Sequence, residues 1–97
     1  MSLRYLPRAV NDIIAIATYL SERNPSAARA VEARIRAAAD LLSQFPAIGR
    51  KLEQRPDVRV WPVARYPYLI FYSATGDEVL VLHIRHGARE PVDLADL

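Results

Sequence analysis

Four side chains able to move a proton or grip an anion crowd together just before the tail of the chain: His83, Arg85, His86 and Arg89. Metal-free cleavage of RNA needs a base for the 2′-hydroxyl proton, cations for the charge on the phosphorane and an acid for the leaving oxygen. These residues, with Arg65 upstream, supply all three types, and histidine is the side chain that changes charge near neutral pH. The same set serves equally well to hold an anionic or protein target with no chemistry at all. Structural readings stand beside both. His83 alternates with Val81 and Arg85 and reads as a packed, hydrogen-bonded sheet histidine. His86 adjoins Gly87 and reads as a cap or a target contact, and Tyr66, Tyr68 and Tyr72 as sheet and core residues.

Other chemistries are excluded more firmly. The chain has no cysteine, so neither a disulfide framework nor a thiolate metal site exists. It carries no glycine-rich phosphate loop, zinc-ligand cluster or nucleophile elbow, so no metal and no cofactor are expected. Net charge is only +2, yet of the 13 cations all but Lys51 are arginine. The planar guanidinium fork suits carboxylate and phosphate, and arginine is also what a GC-rich genome favours everywhere. Arg50, Lys51, Arg55, Arg59 and Arg65 against Glu53 and Asp57 make a modest basic region, usable for binding. No stretch approaches the roughly 20 apolar residues of a membrane span. The N-terminus lacks the apolar core of a signal peptide, so the chain is expected to be cytoplasmic and to have no membrane partner.

The elements that must position these groups read as follows. Ninety-seven residues, 52% of them hydrophobic, are expected to form a single domain over 1–97. Leu3 to Leu6 alternates briefly and predicts a short strand ending at Pro7. Val10, Ile13, Ile14, Ala17 and Leu20 predict an amphipathic helix from about 7 to 23, its apolar stripe in the core. Ile16 and Tyr19 fall off that stripe and are expected to face a second contact, such as a partner chain. Asn24-Pro25 caps a second helix, with Ala28, Val31, Ile35, Ala38, Leu42 and Phe45 as its buried row. The Phe45-Pro46 step ends it, and 46–57 reads as a loop. Val58, Val60 and Trp61 begin a strand, with Pro62 implying an edge or a bulge. Tyr68–Ser73 and Val79–Arg85 form a hairpin around Ala74–Asp77. Val79 and Val81 are assigned to one face of the last strand, Leu80, Leu82 and Ile84 to the other. A strand apolar on both faces belongs inside a sheet covered on each side. The expected fold is thus α+β: an N-terminal strand, a helical hairpin, then a three-stranded antiparallel meander, β-α-α-β-β-β.

This order resembles the ParE/RelE superfamily of toxins from bacterial type II toxin–antitoxin systems, on its ParE-like, plasmid-stabilisation branch. The likeness runs through Pro7-Arg8-Ala9 with Asp12-Ile13, Asn24-Pro25 with Ala27-Ala28-Arg29, and Leu42-Ser-Gln-Phe-Pro46. It continues through Ile48-Gly49-Arg50, Tyr66-Pro-Tyr-Leu-Ile-Phe-Tyr72 and Ile84-Arg-His-Gly-Ala-Arg89.

The resemblance implies one of two mechanisms. RelE-like members cut messenger RNA on the ribosome; ParE-like members lack that chemistry and poison DNA gyrase. Both are neutralised by an antitoxin, here a ParD-like one. The nuclease pattern places an arginine three residues before the tyrosine matching Tyr72, where this chain has Leu69. It also places a tyrosine in the C-terminal tail, which 90–97 lacks, and a lysine-rich segment of which only Lys51 is present. Arg89 alone matches. The leading expectation is therefore a non-enzymatic gyrase inhibitor with Arg59, Arg65, Arg85, His86 and Arg89 as a cationic rim for the target, and Ile16 and Tyr19 for the antitoxin. The alternatives are an endoribonuclease using His83, His86 and Arg89, as some members use a histidine near the end of the last strand, and a non-toxic antitoxin-binding module.

Overall fold

The structure is a computed structural model, and it describes residues 1–87; Arg89 and the acidic tail lie outside the described residues. Strand β1 spans Ser2–Tyr5, helix α1 Pro7–Ser21, helix α2 Pro25–Gln44, β2 Arg50–Lys51, β3 Arg59–Pro62, β4 Tyr68–Thr75 and β5 Glu78–His86. The strands lie in the order β1-β5-β4-β3-β2. All pairings are antiparallel except β1 with β5. Between those two strands the chain passes through both helices and then β2, β3 and β4, the long connection that a parallel pair requires.

Both helices begin at a proline whose missing N–H costs nothing there. The Asn24 side chain accepts from the Ala27 N–H at 3.2 Å, which caps α2. On α2 the buried row is Ala28, Val31, Ile35, Ala39 and Leu42, with Ala38 partly buried beside it. Phe45, expected to continue that row, stands at the C-cap with 56% of its surface exposed, because the chain leaves the helix there. On α1 the core-facing row is Ala9, Ile13, Ile16 and Leu20. The expected stripe is therefore rotated. Ile16 packs into the core, while Val10 and Ile14 are 42% and 57% exposed. In a helix with apolar residues at 10, 13, 14, 16, 17 and 20, periodicity alone fits either phase.

Two clusters sandwich the sheet. The larger joins both helices to Tyr68, Ile70, Tyr72, Val79, Val81 and Ile84. The smaller, on the side without helices, is Val58, Val60 and Phe71 under Leu52, Leu69 and Leu82. Strand β5 is thus interior and covered on both faces, as its composition requires. The assignment of Ile84 changes, however. Phe71 pairs with His83 but Tyr72 pairs with Val81, so Leu82 is an extra residue in β5. This bulge flips the alternation. Ile84 therefore joins Val79 and Val81 on the helical side, and His83 and Arg85 go to the other. The β4–β5 turn is tighter than expected: only Gly76 and Asp77 lie between the strands, and Gly76 has a φ of +59°, as a II′ turn asks of its first central residue.

The expected loop 46–57 supplies the two-residue strand β2, and its placement depends on a buried clamp. The Tyr72 hydroxyl donates to the Pro46 carbonyl at 2.8 Å and accepts from the Gly49 N–H at 2.9 Å. Arg59 donates to the carbonyls of Ala47 and Gly49 at 3.1 and 2.7 Å. The segment between α2 and β2 is therefore bonded to β3 and β4 through side chains.

A Cβ at Gly49 would lie 2.5 Å from the Tyr72 hydroxyl oxygen and 2.7 Å from the ring. Because Tyr72 is fully buried and held at both ends, Gly49→Ala is expected to destabilise the fold by about 1–3 kcal/mol in urea unfolding. Burial raises the Tyr72 pKa, opposed by the Gly49 hydrogen bond and by Arg59. A raised pKa means the folded state keeps a proton that the unfolded chain releases, so stability falls as pH climbs above the ordinary tyrosine value of 10.0. Tyr72→Phe is expected to lose stability at neutral pH yet show a shallower alkaline decline, measurable by circular dichroism from pH 7 to 12.

Candidate functional site

The described residues expected to form one cationic rim fall in two places, Arg59 in one and Arg65, Arg85 and His86 in the other. Arg59 lies at the start of β3, on the helical side in register with Tyr72, and is occupied by the loop carbonyls. Arg65 is in the β3–β4 turn, exposed, with a φ of +74°, the left-handed region that non-glycine residues seldom adopt. Arg85 and His86 end β5. The Gly87 N–H donates to the Pro67 carbonyl at 2.7 Å, which brings that turn against the end of β5. Arg65, Arg85 and His86 thus share one end of the sheet, and Arg89 lies beyond the described residues. Within this group the faces differ: His86 meets the Tyr68 ring edge-on at 5.6 Å on the helical side, whereas Arg85 pairs with Leu69 on the other.

His83 has a different setting. Its Nδ1 lies 2.6 Å from Asp12 Oδ2, and the same oxygen accepts from the Ile84 N–H at 3.0 Å. The ring stacks on Phe71, with centroids 5.8 Å apart and planes at 23°. The pairing with β1 ends at Tyr5 opposite Val81, so from Leu82 onward β5 has no strand on that side. Asp12, one helical turn into α1, reaches the open edge and takes its N–H. The packed, hydrogen-bonded position is the one His83 occupies. Sequence reading quoted Asp12 only within a motif; its signal was a carboxylate set among the apolar residues of α1.

The remaining feature lies on the helical hairpin. Val10, Ile13, Ile14, Ala17 and Thr18 of α1 face Glu32 and Arg36 of α2 across a groove of about 270 Å³, with Tyr5 at its base. Tyr19, one of the two residues expected to meet a partner, is 43% exposed with the Arg23 guanidinium 3.8 Å above its ring. Ile16, the other, is partly buried and packs against the core. Burial raises the Tyr5 pKa, and Arg36 opposes it. Among the described residues no cluster of histidine, aspartate or glutamate suits a metal ion, and no helix is long and apolar enough to cross a membrane.

Residues 3–91 match the family model for the ParE toxin of type II toxin–antitoxin systems. The chain belongs to the ParE toxin family. It is 35% identical to Toxin RelE2 of Caulobacter vibrioides over 83 residues, which is 84% of this chain and 90% of that one. It is 33% identical over 88 residues to toxin Y4kP of Sinorhizobium fredii, covering 91% and 90% of the two chains. A solved structure of the chromosomal ParDE TA system from P. aeruginosa superposes with a TM-score of 0.79 at 27% identity, over 89% of this chain and 95% of that chain. Toxin of a type II toxin–antitoxin system is therefore the functional class, and a ParE-type fold is what carries its side chains.

Within this ParE fold Asp12 does structural work that can be measured. Asp12→Ala strands the Ile84 N–H and one histidine nitrogen, and is expected to cost about 1–3 kcal/mol in denaturant unfolding. Asp12→Asn keeps an acceptor for the Ile84 N–H and should cost less.

Proposed function

We propose that this toxin acts without chemistry, by binding DNA gyrase and trapping its cleaved-DNA intermediate, and that a ParD-like antitoxin holds it inactive. The observation that carries this reading is Leu69. Where the nuclease pattern asks for an arginine, this chain packs a leucine over Val58, Val60 and Phe71. Tyr72, whose counterpart marks that position, is buried with its hydroxyl engaged at both lone pair and proton. His83 is tied to Asp12 and lies opposite Phe71, whereas His86 lies on the other face against Tyr68, so the two histidines proposed as acid and base stand on opposite sides of the sheet. Arg65, Arg85 and His86 at the end of the sheet remain as target contacts, chosen by location and charge.

The antitoxin reading rests on the groove between α1 and α2. Val10 and Ile14 are exposed on a helix whose opposite face is fully used, and an amphipathic segment that covers them would bury apolar surface. Binding of that kind stabilises the toxin by mass action.

Induced expression beside an SOS-response reporter, with messenger-RNA integrity followed in parallel, separates the mechanisms. Reporter induction with intact transcripts is the expected result. Codon-dependent cutting of transcripts that disappears in His86→Ala would overturn it, and unimpaired growth with a partner still recovered would mark a non-toxic binding module. Ile14→Asp is expected to weaken capture of the antitoxin encoded beside the toxin by tenfold or more. Its thermal stability should stay near the parent's, since exposed substitutions cost within about 0.5 kcal/mol.

A further inference from the structure

The turn between β3 and β4 holds an arginine in a conformation that suits glycine. Among the described residues Arg65 is the only non-glycine with a positive φ, +74°. There a side chain crowds its own backbone, a cost that glycine escapes. Nothing within the described residues offsets it. The Arg65 guanidinium is exposed and makes no hydrogen bond, ion pair or ring contact to them. The backbone around it is fixed on both sides. The Val63 N–H donates to the Tyr68 carbonyl at 2.9 Å, and the Gly87 N–H ties Pro67 to the end of β5 at 2.7 Å. Strained residues persist where their surroundings over-determine them, and they gather at ligand contacts. Glycine would close this turn without strain, so what arginine adds is a free guanidinium at a fixed place.

Two more basic groups share this end of the sheet. Arg85, opposite Leu69, has its Nη2 buried without a hydrogen-bond partner, and His86 lies on the other face against Tyr68. Neither 62–69 nor 84–87 contains a carboxylate. We infer that this end is a contact for the phosphodiester backbone of duplex DNA, with Arg65 on a phosphate. On the gyrase reading, on which this rests, the duplex is the cleaved DNA of the trapped intermediate, so the sheet end touches DNA and not the enzyme's protein surface. Two observations favour phosphates over a protein partner. Two arginines and a histidine set on two faces and the turn between them cannot converge on one carboxylate, whereas a duplex presents a charge at every step of its backbone. Protein interfaces also have an apolar core. The exposed large apolar side chains, Met1, Val10, Ile14, Tyr19, Phe45 and Ile48, lie on α1, at or just after the end of α2, or at the N-terminus. None of them is at this end.

The test uses the full chain and a fluorescent DNA duplex, with anisotropy read over a series of salt concentrations. Binding that weakens as salt rises is expected. Arg65→Gly should reduce the slope of log affinity against log salt by about 0.9, the share of one phosphate contact. The same variant should melt about 4 °C higher as the strain is released, which excludes misfolding as the cause of its weaker binding. Arg65→Lys keeps the charge and should keep the parent's slope; Arg34→Gln, at an exposed position on α2, should match the parent too. In cells Arg65→Gly should lower the SOS reporter at least about tenfold while the antitoxin is still captured. Absent duplex binding, an unchanged salt slope in Arg65→Gly, or tighter binding of a polyglutamate peptide than of the duplex would overturn the inference. A parent that binds duplex yet induces no reporter keeps the DNA contact and removes gyrase as its setting. A parent that induces the reporter without binding duplex removes the contact alone.

Discussion

Strand β5 is nine residues long and its parallel neighbour β1 only four, so half of one edge of β5 has no strand to bond with. An open edge inside a small protein must be met by something, because an unpaired backbone N–H away from water costs as much as a lost hydrogen bond. Asp12 meets it. One carboxylate oxygen takes the Ile84 N–H and His83 Nδ1 together. That joins α1 to the strand carrying most of the side chains of interest. The bulge at Leu82 sits just before this contact and sets the facing of everything after it. Moving Leu82 back into register would turn Arg85 towards the helices and His86 away from Tyr68, and would put Ile84 outside the core. The faces available for binding follow from this one local arrangement.

A second fixed point lies at the other side of the sheet. The chain leaving α2 has no regular structure until Arg50, and short irregular segments are held by side-chain bonds or not at all. Tyr72 and Arg59 between them take or give four hydrogen bonds to Pro46, Ala47 and Gly49. Arginine at 59 therefore acts as a backbone donor array, and the charge that looked available for a target is directed inward. Arg50 and Lys51, carried by β2 at the end of this segment, are the exposed cations that the clamp positions.

The parts of the fold that depend on local signals were legible. Pro7, the Asn24-Pro25 cap, Gly76 in the hairpin and the apolar run of β5 each specify their own neighbourhood. What could not be read were phases and long-range bonds. Six apolar residues on α1 fit two rotations, and the one chosen depends on where Asp12 must reach. A run apolar on both faces hides a bulge, since alternation is the only signal that would reveal it. The Tyr72–Gly49 bond spans 23 residues, and Gly49 looked like loop punctuation until the ring beside it was visible. Arg59 is a case of the same kind: its bonds to Ala47 and Gly49 were not visible in the sequence, whereas Arg65, Arg85 and His86 do lie at one end of the sheet.

That separation bears on how such a toxin is held in check. A partner that covers the groove beside Val10 and Ile14 touches α1 on the side away from the sheet, and α1 is also the helix whose Asp12 anchors β5. Asp12 joins α1 to His83 and Ile84 directly, through contacts of 2.6 and 3.0 Å and not through a loop. Energetic coupling between sites travels through rigid elements with defined contacts. Val10 and Ile14 at the groove and Asp12 at the edge of β5 are thus carried by one and the same helix.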